Sequence, residues 1–174
     1  MPKIKAGGII RNEHLAKIGI LSVPDRPGLA SAVLRTLGEQ DINVEFIVQC
    51  IDLQSHSHVV LCVASENAGA AVTALKSIQD VVGAQAIVSQ PEVALISVFG
   101  PDFRERPAVA AGVFEALASV GINILAISTS ISTVSCLIDK VRVEDAMLAL
   151  REYAGASDAR VRCRPWPPAL SSLV

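Results

Sequence analysis

Apolar and polar residues follow two different periods along this chain, and these periods divide it into short strands and helices. Residues 17–23 are rich in β-forming residues and predict a strand, and residues 24–28 have the composition of a turn that leads into a helix. Apolar residues then recur at helical spacing, namely Ala30, Val33, Leu34 and Leu37. The pattern predicts an amphipathic helix that ends near Gly38.

The residues that follow complete a small fold. Residues 43–50 and 58–64 are β-rich and are joined by a short polar loop, which predicts a hairpin. Residues 70–78 predict a second helix, and residues 84–89 predict a last strand. The order strand, helix, strand, strand, helix, strand indicates a ferredoxin-like α+β module, in which an antiparallel four-stranded sheet carries two helices on one face.

The chain contains this module twice. Residues 25–49 return without an internal gap as residues 105–129. The pairs that are identical at this constant offset are Arg26/Arg106, Pro27/Pro107, Ala30/Ala110, Val33/Val113, Leu37/Leu117, Ile42/Ile122, Asn43/Asn123 and Ile47/Ile127. The second copy predicts its strands and helices at residues 93–99, 109–119, 122–129, 134–139 and 143–153.

The repeat also sets the expected domain boundaries. They are an N-terminal segment at 1–16, a first module at 17–90, a second module at 91–164 and a Pro/Ser-rich tail at 165–174. Two origins remain open for the last strand of the second module, either residues 159–163 or a strand lent by residues 3–10. The first loop of the second copy is longer by about four residues, so the two copies differ at the same edge of the module.

Composition narrows the class of protein. Apolar residues make up 51% of the chain and aromatic residues only 3%, so the cores are expected to consist of Val, Ile, Leu and Ala. A net charge of -2 and few aromatic rings argue against nucleic-acid binding. No apolar run approaches the roughly 18 residues that span a bilayer, and the N-terminus lacks the apolar core of a signal peptide. We therefore expect a cytoplasmic protein with no membrane partner.

Motifs for catalysis or for a cofactor are absent from the sequence. It contains no phosphate-binding loop, no dinucleotide-binding glycine pattern, no zinc-protease motif and no nucleophile elbow. Four cysteines occur without a CxxC pair, and Cys50, Cys62 and Cys136 lie in apolar runs where buried free thiols are expected. We expect no catalytic residue, no cofactor and no metal.

The turn Asp25-Arg-Pro-Gly28 has the chemistry to bind a small zwitterion. The first amides of a helix lack intrahelical partners and can hold a carboxylate, while Asp25 attracts an ammonium group. Gly28 lets the backbone come close to a ligand. Gln49, at the end of an apolar strand, can donate to or accept from a ligand side chain. The alternatives are a capped helix start at Asp25 and a merely exposed strand end at Gln49.

Other polar residues allow two interpretations each. Asn43 and its counterpart in the second copy, Asn123, stand where a helix gives way to a strand, so they either stabilise a turn or lie at a seam between paired modules. His56 and His58 share a predicted strand face with Cys62, and Cys50 lies across the hairpin. One interpretation is a Cys/His metal site, but the spacing fits no standard zinc site and the cysteines lie among core residues, so loop and core roles are favoured.

The motifs around the first turn resemble those of a known family. Residues 23–34 and 42–49 are similar to the first ACT domain of aspartate kinases, and residues 107–130 resemble the second. The resemblance extends from about Gly8 to Ala154, and it favours residues 3–10, in the N-terminal segment 1–16, as the strand that pairs with the second module. It implies a regulatory module that binds an amino-acid end product, lysine or threonine, at ACT–ACT interfaces, and a chain that is not an enzyme by itself because the kinase domain is absent.

The resemblance also implies an effector site. The residues that it assigns to this site, together with the neighbouring Arg26 and Asn43, are Asp25, Gly28, Leu29, Ala30 and Gln49 in the first copy and Asn123, Ile124, Thr129 and Ser130 in the second. The expected partners are the amino-acid effector, a second copy joined through ACT sheet edges, and a separate kinase or biosynthetic enzyme. A structural assembly module without a ligand and a metal-responsive regulator are the alternatives.

The sequence departs from the family at several positions. Cys50 follows Gln49 where Asn is usual, and Ser57-His58 replaces the Thr-Asp that often opens the next strand. In the second copy Ala108 replaces the usual Gly, and Ile131 stands where Glu is expected. The added Cβ and the lost carboxylate place effector binding chiefly in the first copy.

Overall fold

A computed structural model describes residues 7–105 and 108–154 of the 174-residue chain. The predicted strand at 159–163, the tail at 165–174 and residues 3–6 lie outside the described residues. The strands are β1 Gly8–Pro24, β2 Phe46–Ile51, β3 His56–Ala64, β4 Ala86–Phe99, β5 Ala126–Thr129 and β6 Thr133–Asp139. The helices are α1 Leu29–Gly38, α2 Ala68–Ser77, α3 Gln79–Val82, α4 Asp102–Glu105, α5 Val109–Ser119 and α6 Val143–Ala154.

The chain forms two compact units. The first unit comprises residues 14–92, and the second comprises residues 7–13 together with residues 93–105 and 108–154. Each unit contains four strands and the helices that connect them, so the predicted α+β class with two ferredoxin-like modules is confirmed. Within the described residues, no helix is long and apolar enough to cross a membrane.

In the first unit the strand order is β2-β3-β1-β4. Strand β3 pairs antiparallel with β2 on one side and with β1 on the other. The amide of Gln85, just before β4, donates to the Leu21 carbonyl of β1 at 3.0 Å. The core lies between this sheet and helices α1 and α2, and the helices contribute the buried residues Leu29, Val33, Leu37, Ala71 and Leu75.

In the second unit the order is β1-β4-β6-β5, and the N-terminal half of β1 supplies the outer strand. The Gly7 amide donates to the Phe99 carbonyl at 2.7 Å. Ile9 is fully buried in a core that includes Val113 and Leu117 of α5 and Leu150 of α6. Residues 8–13 therefore occupy the position of a last strand in this unit.

Two strands are longer than their sequence patterns indicate. The separate strands expected at 84–89 and 93–99 are one continuous strand, β4, and the strand expected at 17–23 begins at Gly8 as part of β1. Pro91 breaks the pattern in the sequence, yet the fixed φ of proline is compatible with extended backbone, and only its missing N–H limits the pairing. Glu92 beside it has a φ of 55°, which accommodates the irregularity.

The repeat is preserved in the backbone at the end of the first helix of each unit. Ile42 donates to the Leu37 carbonyl at 3.0 Å, and Ile122 donates to the Leu117 carbonyl at 3.1 Å. A positive φ precedes each of these isoleucines, at Asp41 and at Gly121. The longer first loop of the second unit contains the short helix α4, so the inserted residues form structure at the edge where the copies diverge.

Candidate functional site

The turn between β1 and α1 positions the predicted carboxylate. The Asp25 amide donates to the Ser55 carbonyl at 3.1 Å, which fixes the backbone at the end of β1. Helix α1 then begins after Gly28, whose φ of 101° requires a residue without a Cβ, and no side chain caps this helix start. Asp25 therefore does not cap this helix.

Asp25 and Gln49 are joined through one buried hydroxyl. Ser57 Oγ donates to Asp25 Oδ1 at 2.9 Å, and Gln49 Nε2 donates to Ser57 Oγ at 3.0 Å. Ser57 is fully buried, whereas Asp25 and Gln49 are exposed. The three side chains form a short relay, which we call the Asp25–Ser57–Gln49 relay, with its buried member at the centre.

The pairing of the strands explains why these residues meet. Gln49 lies opposite Val59, and Ser57 lies two residues before Val59 on the same face of β3. Ser57 also lies opposite Val23, at the end of β1, so Asp25 follows it closely. Two residues predicted separately from the sequence are thus held together by the register of three strands.

Sequence reasoning noted Ser57 only as a departure from the family pattern and missed its role. The signal was a polar residue on the core face of a strand: Ser57, Val59, Leu61 and Val63 alternate with more exposed residues. A buried hydroxyl in such a series needs hydrogen-bond partners, and the partners of Ser57 are Asp25 and Gln49, which the sequence had already indicated as site residues.

The start of α1 lies next to this relay along the chain. Ala32 makes the first intrahelical bond, to the Gly28 carbonyl at 2.9 Å, so the amides of Leu29, Ala30 and Ser31 precede the first intrahelical donor. A Cβ added at Gly28 would meet no atom within 4 Å, so the space beside this backbone is open. The turn thus offers amide donors within a few residues of the carboxylate of Asp25.

Two other predicted residues of the first unit have different surroundings. Arg26 donates through Nη2 to the Val81 carbonyl at 2.8 Å, so its guanidinium caps the end of α3. Asn43 donates to Glu45 Oε1 at 3.3 Å and lies before β2, at the opposite end of that strand from Gln49. Neither residue belongs to the relay within one chain.

The predicted residues of the second unit lie at both ends of β5. Asn123 and Ile124 precede the strand, Thr129 ends it, and the Ser130 amide donates to the Thr133 carbonyl at 2.8 Å in the turn. Asn123, Thr129 and Ser130 are exposed, whereas Ile124 packs against the core.

The helix start in the second unit differs from that in the first. Ala108 holds a φ of 65° at the N-cap of α5, where the first unit has Gly28. This left-handed conformation is unfavourable for a residue with a Cβ.

His56 and His58 both contact the carboxylate of Asp52. The Asp52 carboxylate accepts from the amides of His56 at 2.8 Å and Gln54 at 2.9 Å, and from His58 Nε2 at 3.2 Å. These bonds, the one from the His56 amide foremost, lower the pKa of Asp52. In the part of the chain that the structure describes, no group of three or more His, Cys, Asp or Glu side chains could hold a metal ion.

The cysteines divide into two kinds. Burial raises the pKa of Cys62 and Cys136 to about 12, and both thiols are free. Cys50 is exposed on β2, so its predicted burial is wrong. The cause is its position on an outer strand, where an apolar sequence run does not imply burial on both faces.

Comparisons with known proteins identify the family of both units. Residues 18–83 and residues 96–153 each match a model of the ACT domain. The aspartokinase of Mycolicibacterium smegmatis is 31% identical over 150 residues, which cover 85% of this chain and 36% of that enzyme. The chain thus spans about a third of the length of the curated relatives that it matches.

Two solved structures match the chain over nearly their whole length. One contains aspartokinase alpha and beta subunits, with a TM-score of 0.80, 32% identity, and coverage of 87% of this chain and 99% of the matched one. The other is the ligand-free regulatory subunit of aspartate kinase from Thermus thermophilus, with a TM-score of 0.78, 30% identity, and coverage of 86% and 98%.

Proposed function

Because this chain belongs to the family of aspartokinase regulatory regions built from two ACT domains, we propose that it is a regulatory protein that binds an amino acid. The effector is of the lysine or threonine class and binds at an ACT–ACT interface. The observation that carries this proposal is the Asp25–Ser57–Gln49 relay beside a helix start that no side chain caps.

Each part of an amino acid has a complementary group at this site. The amides at the start of α1 donate hydrogen bonds to the α-carboxylate, and the Asp25 carboxylate attracts the α-ammonium group. Gln49 then faces the ligand side chain, and the open space at Gly28 lets the ligand approach the backbone. A zwitterion fits this arrangement better than a single ion because opposite charges are recognised a few residues apart.

A second copy of the chain completes the site in this proposal. Strand β2 is the outer strand of the first unit, and its residues Ile47 and Ile51 are 36% and 57% exposed. An outer strand with apolar side chains is suited to pair with another strand, so we place a homodimer contact at the ACT sheet edges. Asn43 and the predicted residues of the second unit, including Asn123, Thr129 and Ser130, would then serve as the wall contributed across the interface.

Regulation follows if the effector favours one arrangement of the modules. A separate kinase or biosynthetic enzyme in the cytoplasm responds only if its affinity differs between the two arrangements. The chain spans 36% of the aspartokinase relative, and this proposal assigns phosphoryl transfer to a separate kinase. In this proposal the two ACT domains occupy residues 17–90 and 91–164.

Calorimetric titration with each of the twenty amino acids tests this function. Saturable binding of lysine or threonine is expected, and Asp25→Asn should weaken it about tenfold because a charge-assisted hydrogen bond contributes about 1.5 kcal/mol. Glu66→Gln, an exposed carboxylate of the same unit, is the matched control and should bind like the wild type.

Absence of heat and of a thermal shift with every amino acid would contradict the proposed function. If the protein were still a dimer under those conditions, the assembly-module alternative would explain the exposed edge of β2. Light scattering separates these cases, because the expected particle mass is about twice the 18.3 kDa of one chain.

A further inference from the structure

We propose that Ser57 is a positioning residue that fixes the orientation of the Gln49 amide and thereby selects the side chain of the effector. This inference rests on the proposed function and adds the chemical class of ligand. The site accepts amino acids whose side chain ends in a hydrogen-bond donor, such as an ammonium or a hydroxyl group. It disfavours apolar side chains of the same size and acidic side chains.

The direction of the two hydrogen bonds carries the inference. An ionised carboxylate can only accept, so the single proton of the Ser57 hydroxyl is donated to Asp25 Oδ1, 2.9 Å away. The Ser57 oxygen can then only accept from Gln49, which lies 3.0 Å away. This requirement places Nε2 of Gln49 against Ser57 and turns Oε1 away from it.

Burial of the centre makes this orientation costly to reverse. Ser57 is 0% exposed, so water does not compete for its hydroxyl. If the Gln49 amide flipped, its Oε1 would face Ser57 Oγ, whose only proton is already donated to Asp25. A hydrogen bond that contributes about 1 kcal/mol would then be lost. Gln49 itself is exposed, so the relay and not packing holds the amide in place.

The surface that results is rich in acceptors. It presents Gln49 Oε1 and the second oxygen of the Asp25 carboxylate, and the nearest arginine in sequence, Arg26, is occupied by the Val81 carbonyl. In the proposed site the α-ammonium group of the ligand pairs with Asp25, so an ammonium or hydroxyl group on the ligand side chain satisfies Gln49 Oε1. A methyl group leaves Oε1 unpaired, and a side-chain carboxylate cannot donate to Oε1 and is repelled by Asp25.

Two pairs of ligands, in which one member lacks the side-chain donor of the other, test the selection. Lysine is compared with norleucine, and threonine with valine, by calorimetric titration of the full chain. In the wild type the donor-bearing member of at least one pair should bind at least tenfold more tightly than its partner. In Ser57→Ala this ratio should fall to about twofold or less, while Ser57→Thr, which keeps the hydroxyl, should retain it.

A substitution outside the core guards against misfolding. Gln49→Met keeps the approximate length of an exposed side chain but removes Oε1, and it should lose the discrimination as Ser57→Ala does. The relay itself is read without ligand from the side-chain amide resonance of Gln49 in ¹⁵N spectra. That resonance should differ between the wild type and Ser57→Ala and should be nearly unchanged in Ser57→Thr.

The outcomes separate the two proposals. If no amino acid binds, the proposed function fails and the selection fails with it. If amino acids bind but norleucine and valine bind as tightly as lysine and threonine, the function stands and the selection by Gln49 is overturned. An identical Gln49 resonance in the wild type and Ser57→Ala would overturn the role assigned to Ser57.

Discussion

Replacement of Gly28 by alanine isolates the backbone requirement at the start of α1. Gly28 has a φ of 101° and a ψ of -9°, and an added Cβ would meet no atom within 4 Å. The substitution therefore introduces no collision with a neighbour. Any loss of stability comes from the conformation of the residue itself.

The magnitude follows from two opposed terms. Holding a residue with a Cβ in a left-handed conformation costs about 2 kcal/mol. Alanine also restricts the unfolded chain more than glycine does, and this smaller loss of entropy on folding offsets about 0.7 kcal/mol of that cost. Gly28→Ala should therefore lower the free energy of unfolding by about 1 kcal/mol.

The second unit offers the reverse experiment. Ala108 has a φ of 65° at the equivalent helix start, so Ala108→Gly relieves strain and should raise the free energy of unfolding by about 0.5 kcal/mol. Urea unfolding, followed by circular dichroism, measures the free energy of unfolding of both variants. The dependence of this free energy on urea concentration should be the same as in the wild type. The reasoning is refuted if Gly28→Ala is as stable as the wild type or if Ala108→Gly is less stable.

Three further predictions concern other parts of the fold. Gly112→Ala should destabilise the second unit by about 1–2 kcal/mol in urea unfolding, because the added Cβ would collide with the Tyr153 ring. Gly69→Ala is the control and should not destabilise the protein, because its Cβ would meet no atom within 4 Å. Iodoacetamide at pH 8 should modify Cys50 well before the buried thiols of Cys62 and Cys136, whose pKa is about 12, and peptide mass spectrometry measures the three rates. Equal rates would contradict the burial of Cys62 and Cys136. Folding lowers the pKa of Asp52, so the carboxylate stabilises the fold fully above its ordinary pKa of 3.8, and this stabilisation is lost as the pH falls through the lower pKa of the folded state. Asp52→Asn should therefore reduce the loss of stability between neutral and acidic pH in urea unfolding. An unchanged dependence of stability on pH would contradict this role of Asp52.

Local patterns predicted the four longer helices because each has an apolar face, whereas the four-residue helices α3 and α4 were not predicted. The spacing of Val33 and Leu37 placed α1, and the repeat transferred the same prediction to α5. Strand continuity was not predictable in the same way. Pro91 looks like a break in the sequence, but the fixed φ of proline is compatible with a strand, and β4 runs from Ala86 to Phe99.

The candidate site was predicted in its members but not in its connections. Asp25 and Gln49 were identified from a turn motif and a strand end, yet the residue that joins them, Ser57, depends on the register of β1 and β3. Register is set by contacts between distant segments, so local sequence does not contain it. The exposed side of Cys50 was missed for the same reason, because edge positions follow from strand order.

An amino-acid titration followed residue by residue in ¹H–¹⁵N spectra tests the central claim most directly. With lysine or threonine, we predict saturable shifts at the backbone amides of Leu29 and Ala30 and at the side-chain amide of Gln49, with much smaller shifts around α3. Spectra that do not change with any amino acid, or saturable shifts confined to residues away from the Asp25–Ser57–Gln49 relay, would contradict the account.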